Sequence, residues 1–161
     1  MTETRMTLTT EGDCSVVVTR RFAAPPEVVF RAHIDPTILP RWMTGPEGWF
    51  MPVCISEAWP GGRLRCEWED GSGGGFHLTG EYLEIEAPHR IVHVERMHLP
   101  DPTPDNRVET RFLPDGNGTR LEMTMTLPDP DALSAMLATG MEEGMEASYA
   151  RLDRMMAADD V

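Results

Sequence analysis

The amino-acid sequence predicts an α+β protein, with a curved antiparallel sheet of about seven strands wrapped on one long C-terminal helix. Two observations support this prediction. Six strand-like segments follow one another after residue 50, and the short turns between them are rich in Gly, Pro, Asn and Asp, which favours antiparallel hairpins over crossover connections. Apolar residues then recur three or four positions apart near the C-terminus, as on one face of a helix that covers a sheet.

The chain begins with a polar, aperiodic stretch, residues 1–13, which we expect to be a flexible leader ahead of one domain over residues 14–158. The segment CSVVVTRRF has the β-branched enrichment of a first strand. Further strands are predicted over residues 50–59, 63–69, 76–86, 90–98, 107–113 and 119–127.

Two short helices are predicted between the first strand and the others. The segment APPEVVFRAHI begins one of them, because proline suits a first helical turn and Glu27 suits the positive end of the helix dipole. Asp35 is expected to cap the second, which neighbouring prolines keep short. The long helix is predicted over about residues 131–158, with an apolar stripe made of Leu133, Leu137, Met141, Met145, Tyr149 and Leu152.

The segment EAWPGGRLRCEW predicts a hairpin with two different faces. Opposite Trp59 we expect Arg63, which places Glu57 opposite Arg65 as a cross-strand pair of opposite charge. The other face of this hairpin is then small and mostly apolar, and consists of Cys54, Ser56, Ala58, Leu64, Cys66 and Trp68. No Lys-Ser or Lys-Thr follows the glycines, so this is not a phosphate-binding loop.

Small residues recur every four positions along the predicted long helix, at Gly140, Gly144 and Ser148. A glycine inside a helix costs about 1 kcal/mol relative to alanine, so these positions need a reason. Either the helix approaches the sheet closely there, or small residues and adaptable methionines form a cavity wall.

Five motifs carry a family resemblance: RRFAAPPEVVFRAHIDPTILPRWM, WPGGRLRCEW, GEYLEIEAPHRIV, DGNGTRLEMTMTL and GMEEGMEASYARLD. In this order they resemble the START-like (SRPBCC, helix-grip) superfamily, and within it the bacterial proteins similar to the heat-shock-protein-90 ATPase activator. Trp59 stands where that family commonly has arginine. The resemblance covers about residues 16–155 and implies a helix-grip fold with a cavity between the sheet and the long helix.

The inner hairpin face and the resemblance together predict a ligand-binding cavity. Its expected lining is Trp42, Trp49, Phe50, Cys54, Ala58, Leu64, Cys66, Trp68, Tyr82, Met141, Met145 and Tyr149. Trp49 and Phe50, which follow TGPEG, are candidates for a mobile gate.

Motifs for catalysis or metal binding are weak. The five histidines form no H-x-x-x-H, although His93 and Glu95 could share a strand face with His77 beside them. Cys54 and Cys66 are expected near each other on adjacent strands as inert packing residues. No catalytic residue, metal or cofactor is therefore predicted.

The formal net charge of −13 disfavours nucleic acid and anionic membranes as partners. The chain has no apolar run long enough to span a bilayer and no signal-peptide pattern, so we expect a cytoplasmic protein. The expected function is binding of a small apolar ligand. A co-chaperone-like interaction domain and a cyclase- or hydrolase-type enzyme stay open, as does the choice between monomer and homodimer.

Overall fold

The computed structural model describes residues 5–99 and 102–161. The strands are β1 (Thr7–Glu11), β2 (Ser15–Phe22), β3 (Phe50–Ser56), β4 (Arg63–Glu69), β5 (Gly75–Glu86), β6 (Arg90–His98), β7 (Asn106–Asp115) and β8 (Gly118–Thr126). The helices are α1 (Pro26–Ile34), α2 (Leu39–Trp42), α3 (Pro130–Leu137) and α4 (Met141–Ala157). Within the described residues, every helix is too short or too polar to cross a membrane.

All eight strands form one curved sheet in the order β1-β2-β8-β7-β6-β5-β4-β3, and every neighbouring pair is antiparallel. The strands from β3 to β8 follow one another as a meander, and β2 then pairs with β8. The predicted α+β architecture is thus confirmed. The strand count is eight because β1 adds an edge strand to the seven that the sequence predicts.

The expected flexible leader is wrong for its second half, because residues 7–11 form the edge strand β1. Leu8 pairs with Val18, and a turn at Gly12 with φ of +64° connects the two strands. The strand TLTTE is mostly exposed and polar, so it carries no hydrophobic alternation by which it could be recognised. Residues 1–4 of the expected leader lie outside the described residues.

The predicted long C-terminal helix is two helices. Gly140 adopts a φ of +76° between α3 and α4, a left-handed conformation that glycine tolerates without strain. The Asp129 carboxylate caps α3 by accepting a hydrogen bond from the backbone N–H of Ala132 at 2.8 Å. Gly140 therefore marks a break in the helical stripe and carries none of the cost of a mid-helix glycine.

The β3–β4 hairpin has the predicted faces but a different register. Ile55 pairs with Arg65 and Cys54 pairs with Cys66, which is a shift of two residues from the predicted pairing. The turn is wider than expected, and within it the N–H of Gly61 donates to the carbonyl of Tyr82 on β5. A shift of two residues keeps every side chain on the same face, so the inner face of this hairpin is retained.

A buried ionic cluster joins β2 to α4. The Arg20 side chain is 2% exposed and donates two hydrogen bonds to the Glu146 carboxylate, at 3.1 and 3.2 Å. It donates a third hydrogen bond to Asp153 at 2.6 Å. Burial lowers the pKa of Arg20, but the hydrogen bonds to Glu146 and Asp153 outweigh it and raise that pKa above its usual value. The cluster thus holds α4 against the sheet in one position.

We expect Arg20→Met to lower the free energy of unfolding by about 3–5 kcal/mol, because it leaves the buried Glu146 carboxylate without its cation. Urea denaturation followed by circular dichroism measures this change. Arg21→Met is the matched control. Arg21 pairs with Asp115 at the surface, where the loss should be at most about 1 kcal/mol. Equal losses for the two variants would contradict the structural role of Arg20.

Candidate functional site

Most of the residues predicted to line a cavity lie inside the grip formed by the sheet and α4. On β3, β4 and β5 the inner face carries Cys54, Leu64, Cys66, Trp68 and Tyr82. Trp42 of α2 and Tyr149 of α4 are buried opposite this face, with their rings stacked at 6.1 Å between centroids. Ala58, Trp49 and Met145 are partly buried beside them.

Two of the predicted lining residues lie elsewhere. The Phe50 residue is 46% exposed at the start of β3, opposite Glu69. Met141 packs with Val16 and Leu133 in a separate apolar cluster below α3. Phe50 is therefore largely in solvent, and the break at Gly140 places Met141 with the second cluster instead of the main core.

The small face of α4 is covered by the loop after α2. The Ser148 hydroxyl accepts a hydrogen bond from the N–H of Gly45 at 2.9 Å. Arg151 donates to the carbonyls of Trp42 and Gly45, at 3.0 and 3.2 Å. A Cβ placed on Gly144 would meet Pro46 at 3.7 Å, an ordinary contact distance. This face therefore contacts a loop, and it forms no wall of the interior.

Polar groups also lie on the inner face, at its centre. His93 and Glu95 are two residues apart on β6, so their side chains lie on the same face. The imidazole Nε2 of His93 lies 2.7 Å from a carboxylate oxygen of Glu95. Both side chains are largely buried, with 15% and 13% of their surface exposed. The direct cross-strand neighbours are Tyr82 beside His93 and Asn106 beside Glu95. A carboxylate that orients an imidazole in this way can support proton transfer at the other ring nitrogen.

Three buried polar atoms here have no hydrogen-bond partner among the described residues: His33 Nε2, His93 Nδ1 and Asn106 Oδ1. Asn106 is 4% exposed. Buried polar groups in folded proteins nearly always have partners, so these three unpaired atoms need an explanation.

His33 of α1 is held in a single tautomer. Its Nδ1 donates to the carbonyl of Val29 at 2.7 Å, so Nε2 is left as an acceptor. The ring packs against Trp42 and Phe112, with centroid distances of 4.8 and 5.1 Å. Burial, together with the charge of His93, lowers the pKa of His33 to about 4. The ring is therefore neutral near pH 7.

Tyr82 completes the polar part of the interior. The Ser56 hydroxyl donates to the carbonyl of Ile34 at 2.6 Å, so the Tyr82 hydroxyl is the donor in its 2.7 Å hydrogen bond with Ser56. Burial raises the pKa of Tyr82 to about 12, and the phenol is therefore neutral.

Sequence reasoning found only part of this polar set. The i, i+2 spacing of His93 and Glu95 correctly indicates a shared strand face, but the neighbour suggested for them is on the other side. His77 stacks on His98 at 4.2 Å on the outer face. His33 and Asn106 were missed, because His33 lies on α1 and Asn106 begins β7, and no local sequence pattern links either of them to His93 and Glu95. Across residues 5–99 and 102–161, no group of three or more His, Cys, Asp or Glu is arranged to hold a metal ion.

Two concavities on the outer face of the sheet are lined mostly by charged side chains. One of about 240 Å³ is lined by Glu109, Arg111, Glu122 and Thr124. Another of about 390 Å³ lies near Arg90, whose guanidinium is paired with Glu84, Glu86 and Glu109. These charges pair with each other, and the apolar residues predicted to bind a ligand lie on the opposite face.

We expect the folded protein to lose stability as the pH falls from about 6.5 to 4. Over this interval the unfolded chain binds a proton at His33 that the folded chain does not bind, so the loss is roughly 3 kcal/mol. Urea denaturation across this range measures the effect, and His33→Gln should remove this part of the slope. Parallel pH profiles for the two proteins would contradict the neutral, buried imidazole.

The fold is shared with solved bacterial structures. A protein from Rhodobacter sphaeroides is 33% identical, with a TM-score of 0.89, over 96% of this chain and 99% of that chain. The Ms6760 protein from Mycobacterium smegmatis is 22% identical, with a TM-score of 0.83, over 93% and 96% of the two chains. A protein from Arthrobacter aurescens is 21% identical, with a TM-score of 0.83, over 94% and 91%. A comparison with curated proteins gave no significant match.

A family comparison assigns most of the sequence. Residues 23–157 match the family described as Activator of Hsp90 ATPase homolog 1-like protein. The matched region runs from the residue after β2 to the last residue of α4, and so includes the whole polar interior. The resemblance inferred from the five sequence motifs is therefore confirmed, and the chain belongs to the Activator of Hsp90 ATPase homolog 1-like family.

Proposed function

We propose that the protein binds a small molecule inside the grip, between the inner sheet face and helices α1, α2 and α4. The ligand has an apolar body and at least one hydrogen-bond donor. The observation that carries this proposal is the set of unpaired buried polar atoms on His33, His93 and Asn106. Leaving such an atom unpaired costs about 1–3 kcal/mol, which a ligand that supplies the missing hydrogen bond recovers.

The unpaired atoms favour a donor over an acceptor on the ligand. Nε2 of His33 and Oδ1 of Asn106 are both acceptors, so each requires an O–H or N–H group opposite it. The Glu95 carboxylate lies on the same face and repels an anionic ligand. A neutral alcohol, phenol or amide therefore fits this interior better than a carboxylic acid does.

The apolar body of the ligand is expected to contact adaptable side chains. Partly buried methionines border the main core, and they are Met43, Met97, Met123, Met145, Met155 and Met156. Methionine is unbranched and flexible, so these side chains can rearrange around a guest at little cost. This adaptability supports an interior that opens when a ligand binds.

We expect 2-naphthol to bind at least about tenfold more tightly than naphthalene, because only the phenol supplies a hydrogen-bond donor of the required kind. The anion 2-naphthoate should bind more weakly than either. Quenching of tryptophan fluorescence measures the three affinities, since Trp42 and Trp68 border the interior.

The variant His93→Phe should reduce the preference for naphthol over naphthalene, because it removes one unpaired nitrogen and keeps an aromatic ring. His98→Phe is the matched control, since the same substitution on the outer face should leave all three affinities unchanged. The absence of saturable binding in the wild-type protein would contradict the proposal. A preference for 2-naphthoate would contradict its donor chemistry.

A second candidate is a co-chaperone-like interaction, favoured by the exposed indole of Trp59. This side chain is 58% exposed at the β3–β4 turn, and the description of the family names an activator of the Hsp90 ATPase. Exposed tryptophans are frequent anchors of protein interfaces.

If Trp59 is such an anchor, immobilised protein should retain a purified bacterial Hsp90 homologue at low salt, and Trp59→Ser should reduce the retained amount at least about tenfold. Leu99→Ser, at another exposed apolar residue, should leave retention unchanged. Failure of the wild-type protein to retain the chaperone would exclude this candidate and leave the ligand-binding proposal intact.

A further inference from the structure

Two of the three cysteines lie directly opposite each other near the edge of the sheet. Cys54 of β3 and Cys66 of β4 are Cα partners in the antiparallel ladder. The N–H of Glu57 donates to the carbonyl of Arg63 at 2.9 Å, which marks Glu57–Arg63 as a hydrogen-bonded pair. Hydrogen-bonded and non-hydrogen-bonded pairs alternate along such a ladder, so Cys54 and Cys66 form a non-hydrogen-bonded pair.

The distance between the Cα atoms of such a pair is compatible with a disulfide bond. Residues of a non-hydrogen-bonded pair have Cα atoms about 4.5 Å apart, and disulfides span Cα distances of about 4.4–6.8 Å. Both cysteine side chains lie on the inner face, where they pack against the same core. A bond between the two sulfurs therefore requires rotation of the side chains and little movement of the backbone.

The two thiols differ in reactivity. Cys54 is half-buried, whereas Cys66 is 3% exposed. A hydrogen bond with Cys66 lowers the pKa of the Cys54 thiol. The same hydrogen bond and burial raise the pKa of Cys66. Cys54 is thus the more accessible and more acidic thiol, as an attacking cysteine must be, and Cys66 is placed to react with it in a second step.

We propose that Cys54 and Cys66 form a redox site at which a hydroperoxide converts the two thiols to an intramolecular disulfide. The Cys54 thiolate attacks one oxygen of hydrogen peroxide, the O–O bond breaks, and a sulfenic acid forms on Cys54. The hydroxide that leaves takes up the proton released by the Cys54 thiol and becomes water. The Cys66 sulfur then attacks the Cys54 sulfur and displaces hydroxide, which takes the Cys66 proton and leaves as water. With hydrogen peroxide, two thiols lose two electrons and two protons, and the peroxide becomes two waters.

The bond links the edge strand β3 to β4 beside the polar interior. Ser56 follows Cys54 on the same face of β3, and its hydroxyl contacts Tyr82. Oxidation therefore fixes the wall of the grip at β3, one of the two edge strands of the sheet. This inference stands on the strand register and is independent of the proposed ligand.

The test is treatment of the fully reduced wild-type protein with hydrogen peroxide, followed by intact-mass measurement and peptide mapping without reductant. We expect the folded protein to lose the mass of two hydrogens and to yield one linked peptide pair, Cys54 with Cys66. Dithiothreitol should restore the original mass. Cys14 precedes β2, near the opposite edge of the sheet from β3, so the fold keeps it away from the other two cysteines. In denaturing urea this separation is lost, and linkages to Cys14 should appear as well.

The variants Cys54→Ser and Cys66→Ser should each form no intramolecular disulfide when folded. The oxidised wild-type protein should unfold at a higher urea concentration than the reduced one, while Cys66→Ser should show no such gain after the same treatment. Three results would overturn the proposal: thiols that stay reduced, oxygen added to single sulfurs without a bridge, or Cys14 linkages in the folded protein.

Discussion

One buried guanidinium determines how α4 lies on the sheet. Arg20 projects from the inner face of β2 to Glu146 and Asp153, which are about two helical turns apart and hence on the same face of α4. Because a buried charge that loses its partner is costly, this contact sets both the rotation of the helix and its position along its axis. Tyr149, between the two carboxylates, then packs its ring against Phe22 at 5.5 Å. The rest of the interior is built around this fixed helix.

Two regions of the inner face differ in how well their polar groups are satisfied. At β2, the charge of Arg20 has three side-chain hydrogen bonds to carboxylates. At β6 and β7, His93 and Asn106 retain unpaired atoms, and His33 on α1 has a third. The region at β2 therefore stabilises the fold, while the central region at β6 and β7 has unused hydrogen-bonding capacity. This unused capacity is what distinguishes the proposed site physically.

The sequence was sufficient for the architecture because turns and strand alternation are local signals. The hairpin faces were predicted correctly although the register was not, since a shift of two residues preserves them. The strand β1 was missed because a polar edge strand derives its order from its neighbour, and the break at Gly140 was missed because methionines continue the stripe across it. The polar interior could be predicted only at His93 and Glu95, which share one strand. His33 is positioned by tertiary packing against Trp42 and Phe112, and no sequence spacing encodes those contacts.

The central claim is that the unpaired atoms of this interior contact a ligand donor. Nitrogen NMR of protein labelled at its histidines tests it most directly, because the five rings report separately. On addition of 2-naphthol, the account predicts shifts at Nε2 of His33 and at Nδ1 of His93, with His77, His89 and His98 unchanged. Shifts confined to those three other histidines, or no shift at a concentration that saturates tryptophan quenching, would contradict it.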